Sequence, residues 1–239
     1  MQTDSEHRPE LIALLREEIA ARGGIPFARF MAQALYHPTY GYYTAARTRI
    51  GKEGDFFTSS TVHACFGKLI ARQLEQMWQL LGSGTFTVAE QGAGEGHLAA
   101  DILDALEADY PQCYQHLVYR IVEISPDSQQ RQAARLTRHV AAGRVDWCAL
   151  AALKGMQGCF LSNELVDAFP VHLVQTVAGQ LREVFVVTTG DGFAEELRAP
   201  STPALSDYFT RIGIAPAEGN RAEVNLAARD WIRQVAEVL

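Results

Sequence analysis

Three glycines alternate with other residues in VAEQGAGEGHLAADIL, at Gly92, Gly94 and Gly96, where an apolar strand-like lead gives way to a helical pattern. Glycine admits left-handed backbone and has no Cβ to hold a ligand off, so such a loop bares N–H groups at the mouth of a helix. That arrangement suits a carboxylate or a phosphate. Spacing separates the two. The dinucleotide fingerprint needs its third glycine three positions after the second, whereas these glycines are two apart and His97 follows them. Glu90, just before the loop, would repel phosphate and attract an ammonium group. A second acid, Glu123, ends the next strand in YRIVEISP, the position from which a carboxylate accepts ribose hydroxyls in nucleotide-binding βαβ units. S-adenosylmethionine carries a carboxylate, an ammonium and a ribose, so it is the expected cofactor. Its expected contacts are Glu90, Gly92, Ala93, Gly94, Gly96, Glu123 and Ile124. Asp146 and Trp147 close the third strand of the series, where an adenine would rest; Trp147 either stacks on it or belongs to the core.

These residues need a scaffold that brings successive strand ends together. FTVAEQ (86–91), YRIVEIS (119–125), RVDWCAL (144–150) and GCFLSNEL (158–165) read as strands, with helices at 97–109 and 127–141 between them. That alternation predicts an α/β fold, a Rossmann-like parallel sheet with helices on both faces. HLVQTVAGQLREVFVVT reads as an inserted β-hairpin turning at Ala178-Gly179-Gln180. Upstream, Leu11, Leu14, Leu15 and Ile19 predict a helix ended by Gly23-Gly24; a short helix at Phe27–Leu35 and an amphipathic helix over 63–81 follow. Two further helices are expected at 204–212 and 224–238. The expected division is an N-terminal helical segment with a cofactor-covering loop at 1–82 and a Rossmann-like domain at 83–239. The last helix lacks a capping residue where another strand is expected, so the chain reads as a fragment whose C-terminal part is missing.

Composition narrows the partners. A net charge of −7 gives no overall attraction to nucleic-acid phosphates. No stretch reaches the roughly 18 to 20 apolar residues of a membrane span. The four cysteines are widely spaced and form no Cys-x-x-Cys pair, and the N-terminus lacks an apolar signal core. Reduced thiols and a cytoplasmic location are expected. No His, Cys, Asp or Glu spacing suggests a metal, and no Gly-x-Ser-x-Gly elbow suggests acyl transfer.

HPTYGYYT, GDFFTSS, VAEQGAGEGHLA, IVEISPDSQQRQ, SNELVDAFPVH and EVNLAARDW resemble, in order, the blocks of the MidA-type S-adenosylmethionine-dependent methyltransferases. The likeness runs from about Ile25 to the end. It implies a class I methyltransferase sheet and a protein substrate, because the mitochondrial member of the family is a protein arginine methyltransferase needed for respiratory complex I assembly; a respiratory-complex subunit is then the expected target. Two departures stand out: Ser60-Thr61 replace the family's Pro-Glu, and the family's Asp-Tyr-Gly strand and C-terminal region have no counterpart here.

Methyl transfer from a sulfonium is an in-line displacement in which the protein mostly positions and stabilises charge. A guanidinium nucleophile calls for carboxylates in its fork geometry. Asn163, Glu164 and Asp167 in SNELVDAFP are the catalytic candidates, being a polar run at the end of an apolar strand; Asn163 or Asp167 capping a turn before Pro170 is the plainer alternative. Asp55 reads as a lid or cofactor contact with Phe56-Phe57 excluding water, and His97 as a surface helix residue. Two rival readings are a cofactor-binding assembly factor without turnover and a dinucleotide enzyme.

Overall fold

A computed structural model describes residues 8–44, 63–190 and 192–239; Asp55 and Phe56-Phe57 lie outside the described residues. Contacts group the chain into two compact units, one drawing on residues up to 45 and on Ala168–Trp231, the other on the stretch to Asp167 and on Ile232–Leu239. This grouping differs from a division at residue 82. Strand pairing is the reason: the early helices and a two-residue strand join the late antiparallel strands, not the parallel sheet.

The second of these units carries a parallel sheet of four strands, β2 (Phe86–Gln91), β3 (Leu117–Val122), β4 (Val145–Trp147) and β5 (Gly158–Ser162), in the order β4-β3-β2-β5. All its pairings are parallel. The order reverses at β2, so the loop after β2 stands at the switch point where open α/β sheets bind ligands. Side chains alternate faces along each strand. Phe86 and Val88 of β2 and Leu117, Tyr119 and Ile121 of β3 enter one core with α3 (Cys65–Leu80), α4 (His97–Asp109) and α5 (Pro111–His116). Ala89 and Val122 enter a second core with Leu153 and with Val238 of α9 (Leu226–Val238) on the opposite face. α3 crosses α4 at Gly67, where any Cβ would collide with the Cβ of Asp101. Below the sheet, His139 is buried between Tyr114 (2.7 Å) and Asp104 (2.8 Å) and ties α4, α5 and α7 (Thr137–Ala141) together.

The observed β2 and α4 match the expected 86–91 and 97–109. The other strands are shorter than expected at their ends. The helix expected over 127–141 is interrupted at Leu136, giving α6 (Pro126–Arg135) and then α7.

The other unit is an antiparallel sheet. β1 (Ile25–Pro26), β7 (Gln180–Thr189), β6 (His172–Val177) and β9 (Arg221–Val224) pair in that order, and β8 (Gly192–Arg198) pairs with β7. The hairpin expected as an insertion is therefore the centre of a five-stranded sheet. Its turn is of the primed type, with Ala178 at φ 51° and Gly179 at φ 69°, and the Glu218 carboxylate accepts both turn N–H groups at 2.7 and 3.0 Å. α1 (Pro9–Arg22) and α2 (Phe27–Tyr36) belong to this unit, α1 ending at Gly23 with φ 70°. α8 (Ala204–Ile212) adds Leu205 to a core with Val174 and Val224.

Candidate functional site

The loop after β2 holds Gly92, Gly94 and Gly96 at φ of 79°, 56° and 80°. An L side chain at such φ costs about 1–2 kcal/mol per residue, so the glycine pattern is a backbone requirement. Gly96 closes a turn by donating to the Ala93 carbonyl at 2.8 Å and then starts α4, and no side chain caps that helix. Gly92 is exposed and Gly94 half-buried, whereas Ala93 and Gly96 are buried.

One face of α6 grips this loop. Arg135 donates from Nε to the Glu95 carbonyl at 2.9 Å and, with Arg131, brackets the Glu95 carboxylate at 3.7 and 3.6 Å. Between them Gln132, 0% exposed, donates from Nε2 to the Gly94 carbonyl at 2.9 Å and to Glu123 Oε2 at 3.2 Å, while its Oε1 accepts the Trp147 indole N–H at 2.8 Å. Gln132 was not a candidate from sequence; IVEISPDSQQRQ contains it, but its amide gains meaning only when three separate segments converge on it.

Glu123 follows the end of β3 and is half-buried. Its Oε1 accepts the Ser125 N–H at 2.8 Å, and Gln129 donates to its carbonyl at 2.8 Å. Each carboxylate oxygen offers two acceptor positions, so one donor apiece leaves capacity for a diol. Ile124 beside it is 70% exposed, an apolar surface next to a fixed acid.

Glu90 sits elsewhere than expected. In register it pairs with Ile121, so Glu123 comes two residues beyond it, about 6–7 Å further along the strands. Glu90 faces the helix-covered core, is 2% exposed, and accepts the Tyr119 hydroxyl at 2.8 Å. Burial pushes its carboxyl up to about 7, partly offset by the Tyr119 hydrogen bond. It lies one layer beneath the loop and does not flank an open crevice with Glu123. Asp146, exposed, pairs in register with Arg120, forms an ion pair with it at 3.5 Å, and projects on the sheet face opposite to Trp147. Adjacent strand residues cannot share a face. Trp147, half-buried, packs against the core beside β3 with its N–H held by Gln132.

The chain after β5 reaches the same end of the sheet. Ser162 pairs with Gln91, and Leu165 packs on the glycine loop so closely that a Cβ at Gly92 would lie 3.0 Å from its Cδ1. Around Leu165, Asn163 is half-buried, Glu164 is exposed, and Asp167 is exposed in a 3₁₀ turn spanning Val166–Ala168. Glu164 adopts φ 51°, a strained backbone for a residue with a side chain. His97 lies beside Glu95 at 3.8 Å, and burial lowers its pKa.

The donor set fits S-adenosylmethionine. Bare amides suit its carboxylate, Glu123 suits the ribose, and Ile124 gives an apolar face for a purine.

The Methyltransf_28 family, described as S-adenosyl-L-methionine-dependent methyltransferases, matches residues 69–239. The chain is 32% identical over 220 residues to the mitochondrial protein arginine methyltransferase NDUFAF7 homolog of Drosophila melanogaster, covering 81% of this chain and 50% of that protein. It is 29% identical over 195 residues to mitochondrial protein arginine methyltransferase NDUFAF7 of Homo sapiens, covering 72% and 44%. Among solved structures, a COG1565 superfamily protein of Burkholderia thailandensis bound to S-adenosylhomocysteine matches with a TM-score of 0.83 at 33% identity, over 95% of this chain and 59% of that one. The chain spans about half the length of the curated relatives it matches. The family match runs through the glycine loop, the Glu123 turn and the strand ends that carry them, and the chain belongs to the Methyltransf_28 family of S-adenosyl-L-methionine-dependent methyltransferases.

Proposed function

We propose that this chain carries the cofactor-binding portion of a methyltransferase that uses S-adenosylmethionine and acts on a protein arginine side chain. The observation that carries the reading is Glu123, a carboxylate braced by the Ser125 N–H and Gln132 beside a glycine loop with three left-handed residues. Such an acid is placed for a diol, and the loop for a carboxylate. When bound, the cofactor supplies an electrophilic methyl group on a sulfonium. The chain's own work is then to hold the nucleophile: Glu164 and Asp167, exposed beside Leu165, would grip a guanidinium and keep electron density on the attacking nitrogen. The names of the relatives support arginine as the acceptor. The target is expected to be a respiratory-complex subunit, by resemblance alone. A cytoplasmic location belongs to the same proposal and is supported only by free thiols at Cys65, Cys113, Cys148 and Cys159.

Calorimetry with S-adenosylhomocysteine and with NAD tests the cofactor. Binding of the first, lost in Glu123→Ala, is expected; NAD binding without it would point to a dinucleotide enzyme. Mass spectrometry of partner proteins then tests the acceptor. Glu164→Gln with Asp167→Asn should abolish a methylarginine mark and leave cofactor binding intact, whereas an unchanged biological effect would favour an assembly factor without turnover.

A further inference from the structure

We propose that Gln132 is a positioning residue for the cofactor, a side chain that sets the glycine loop against the ribose-binding acid. The inference rests on the functional reading above and names what holds its two halves in register.

The orientation of the amide follows from its partners. An indole N–H only donates, so the Gln132 atom facing Trp147 at 2.8 Å must be the oxygen. The nitrogen is thereby turned to Gly94 O at 2.9 Å and Glu123 Oε2 at 3.2 Å, both acceptors. Each of its hydrogens has a partner, and the side chain is fully buried. Gly96 passes close to this residue: a Cβ added there would sit 3.5 Å from the Gln132 Cα. Gly94 follows β2 and Glu123 follows β3, neighbours in the sheet, and the Gln132 side chain bridges the two. Arg131 and Arg135 engage the loop through Glu95, and Arg131 also pairs with Asp127 of its own helix at 2.6 Å. One amide therefore fixes the spacing between the carboxylate-binding amides and the diol-binding carboxylate. Trp147 in turn fixes the amide.

Gln132→Glu separates this role from packing. It keeps volume and the acceptor for Trp147, and it sets an acceptor against Gly94 O and Glu123. A buried hydrogen bond to a charged partner and the lone amide–carbonyl bond are both lost, so S-adenosylhomocysteine affinity should fall on the order of tenfold to a hundredfold. Gln132→Met, which removes every hydrogen bond at similar volume, should show the same loss and is read in its place if the first variant does not fold. Far-UV circular dichroism and the melting curve check folding. Hydrogen exchange of the ligand-free protein supplies the second readout: the Gly96 amide, bonded to the Ala93 carbonyl at 2.8 Å, should exchange faster in the variants, with α5 and β3 unchanged. If both variants bind within threefold of the parent and exchange at Gly96 is unaltered, the proposal is wrong. A parent that binds no S-adenosylhomocysteine overturns the functional reading instead, and the exchange comparison alone then decides whether Gln132 holds the loop.

Discussion

Replacing Glu90 by Gln should remove one defined source of pH dependence from the stability. Glu90 is 2% exposed in a layer bounded by Tyr119, and burial raises its carboxyl from 4.5 to about 7. A folded-state pKa above the unfolded value means that the folded protein holds the proton more tightly. Its contribution to stability is thus complete below about 4.5 and is lost as pH rises through about 7. Each tenfold in proton affinity is worth about 1.4 kcal/mol, so the full span amounts to about 3 kcal/mol. Gln keeps an acceptor for the Tyr119 hydroxyl and has no proton to lose. Urea unfolding of parent and Glu90→Gln, followed by circular dichroism at half-unit steps between pH 4.5 and 8.5, should show the variant gaining on the parent by a total on the order of 3 kcal/mol, most of it between pH 5 and 7.5. All other titrating groups are common to both proteins and cancel in the difference. A difference that stays constant across that range would refute the argument, because it would mean that Glu90 meets water or a cation when ionised.

Gly92→Ala should cost about 1–2 kcal/mol from its φ of 79° and displace Leu165 from its 3.0 Å approach, lowering the melting temperature and weakening S-adenosylhomocysteine together in calorimetry. Asp146→Asn removes only an ion pair with Arg120 on the far face, so S-adenosylhomocysteine affinity should stay within twofold of the parent, as titration calorimetry would report. Glu164→Gly relieves a strained φ of 51° and should raise stability by about 1 kcal/mol in urea unfolding, and the proposed grip on a guanidinium predicts that methyl transfer is lost with it.

Legibility differed from residue to residue for physical reasons. The strand at 86–91 and the helix at 97–109 were readable because period and glycine punctuation are local signals. Glu123 was readable because the end of a strand is also a local event. The surroundings of Glu90 and Asp146 were not legible, since both are set by register. Whether a residue near a strand end reaches the rim depends on which neighbour it pairs with, and Glu90 pairs with Ile121, one layer down. The antiparallel unit was read only as a hairpin because β1 has two residues and β9 four, too short for any alternation to show.

The sequence by itself determined the order of strands and helices around the glycine loop and the chemical kind of ligand that the loop and Glu123 suit. Backbone freedom and side-chain period are properties of neighbouring residues, and a chain states those directly. Only the tertiary structure decided that Glu90 lies buried on Tyr119, that Asp146 turns away, and that Gln132 joins Gly94, Glu123 and Trp147. Those facts depend on strand register and on a hydrogen-bond network that reaches from Gly94 to Trp147 through Gln132, and no local pattern encodes such a meeting.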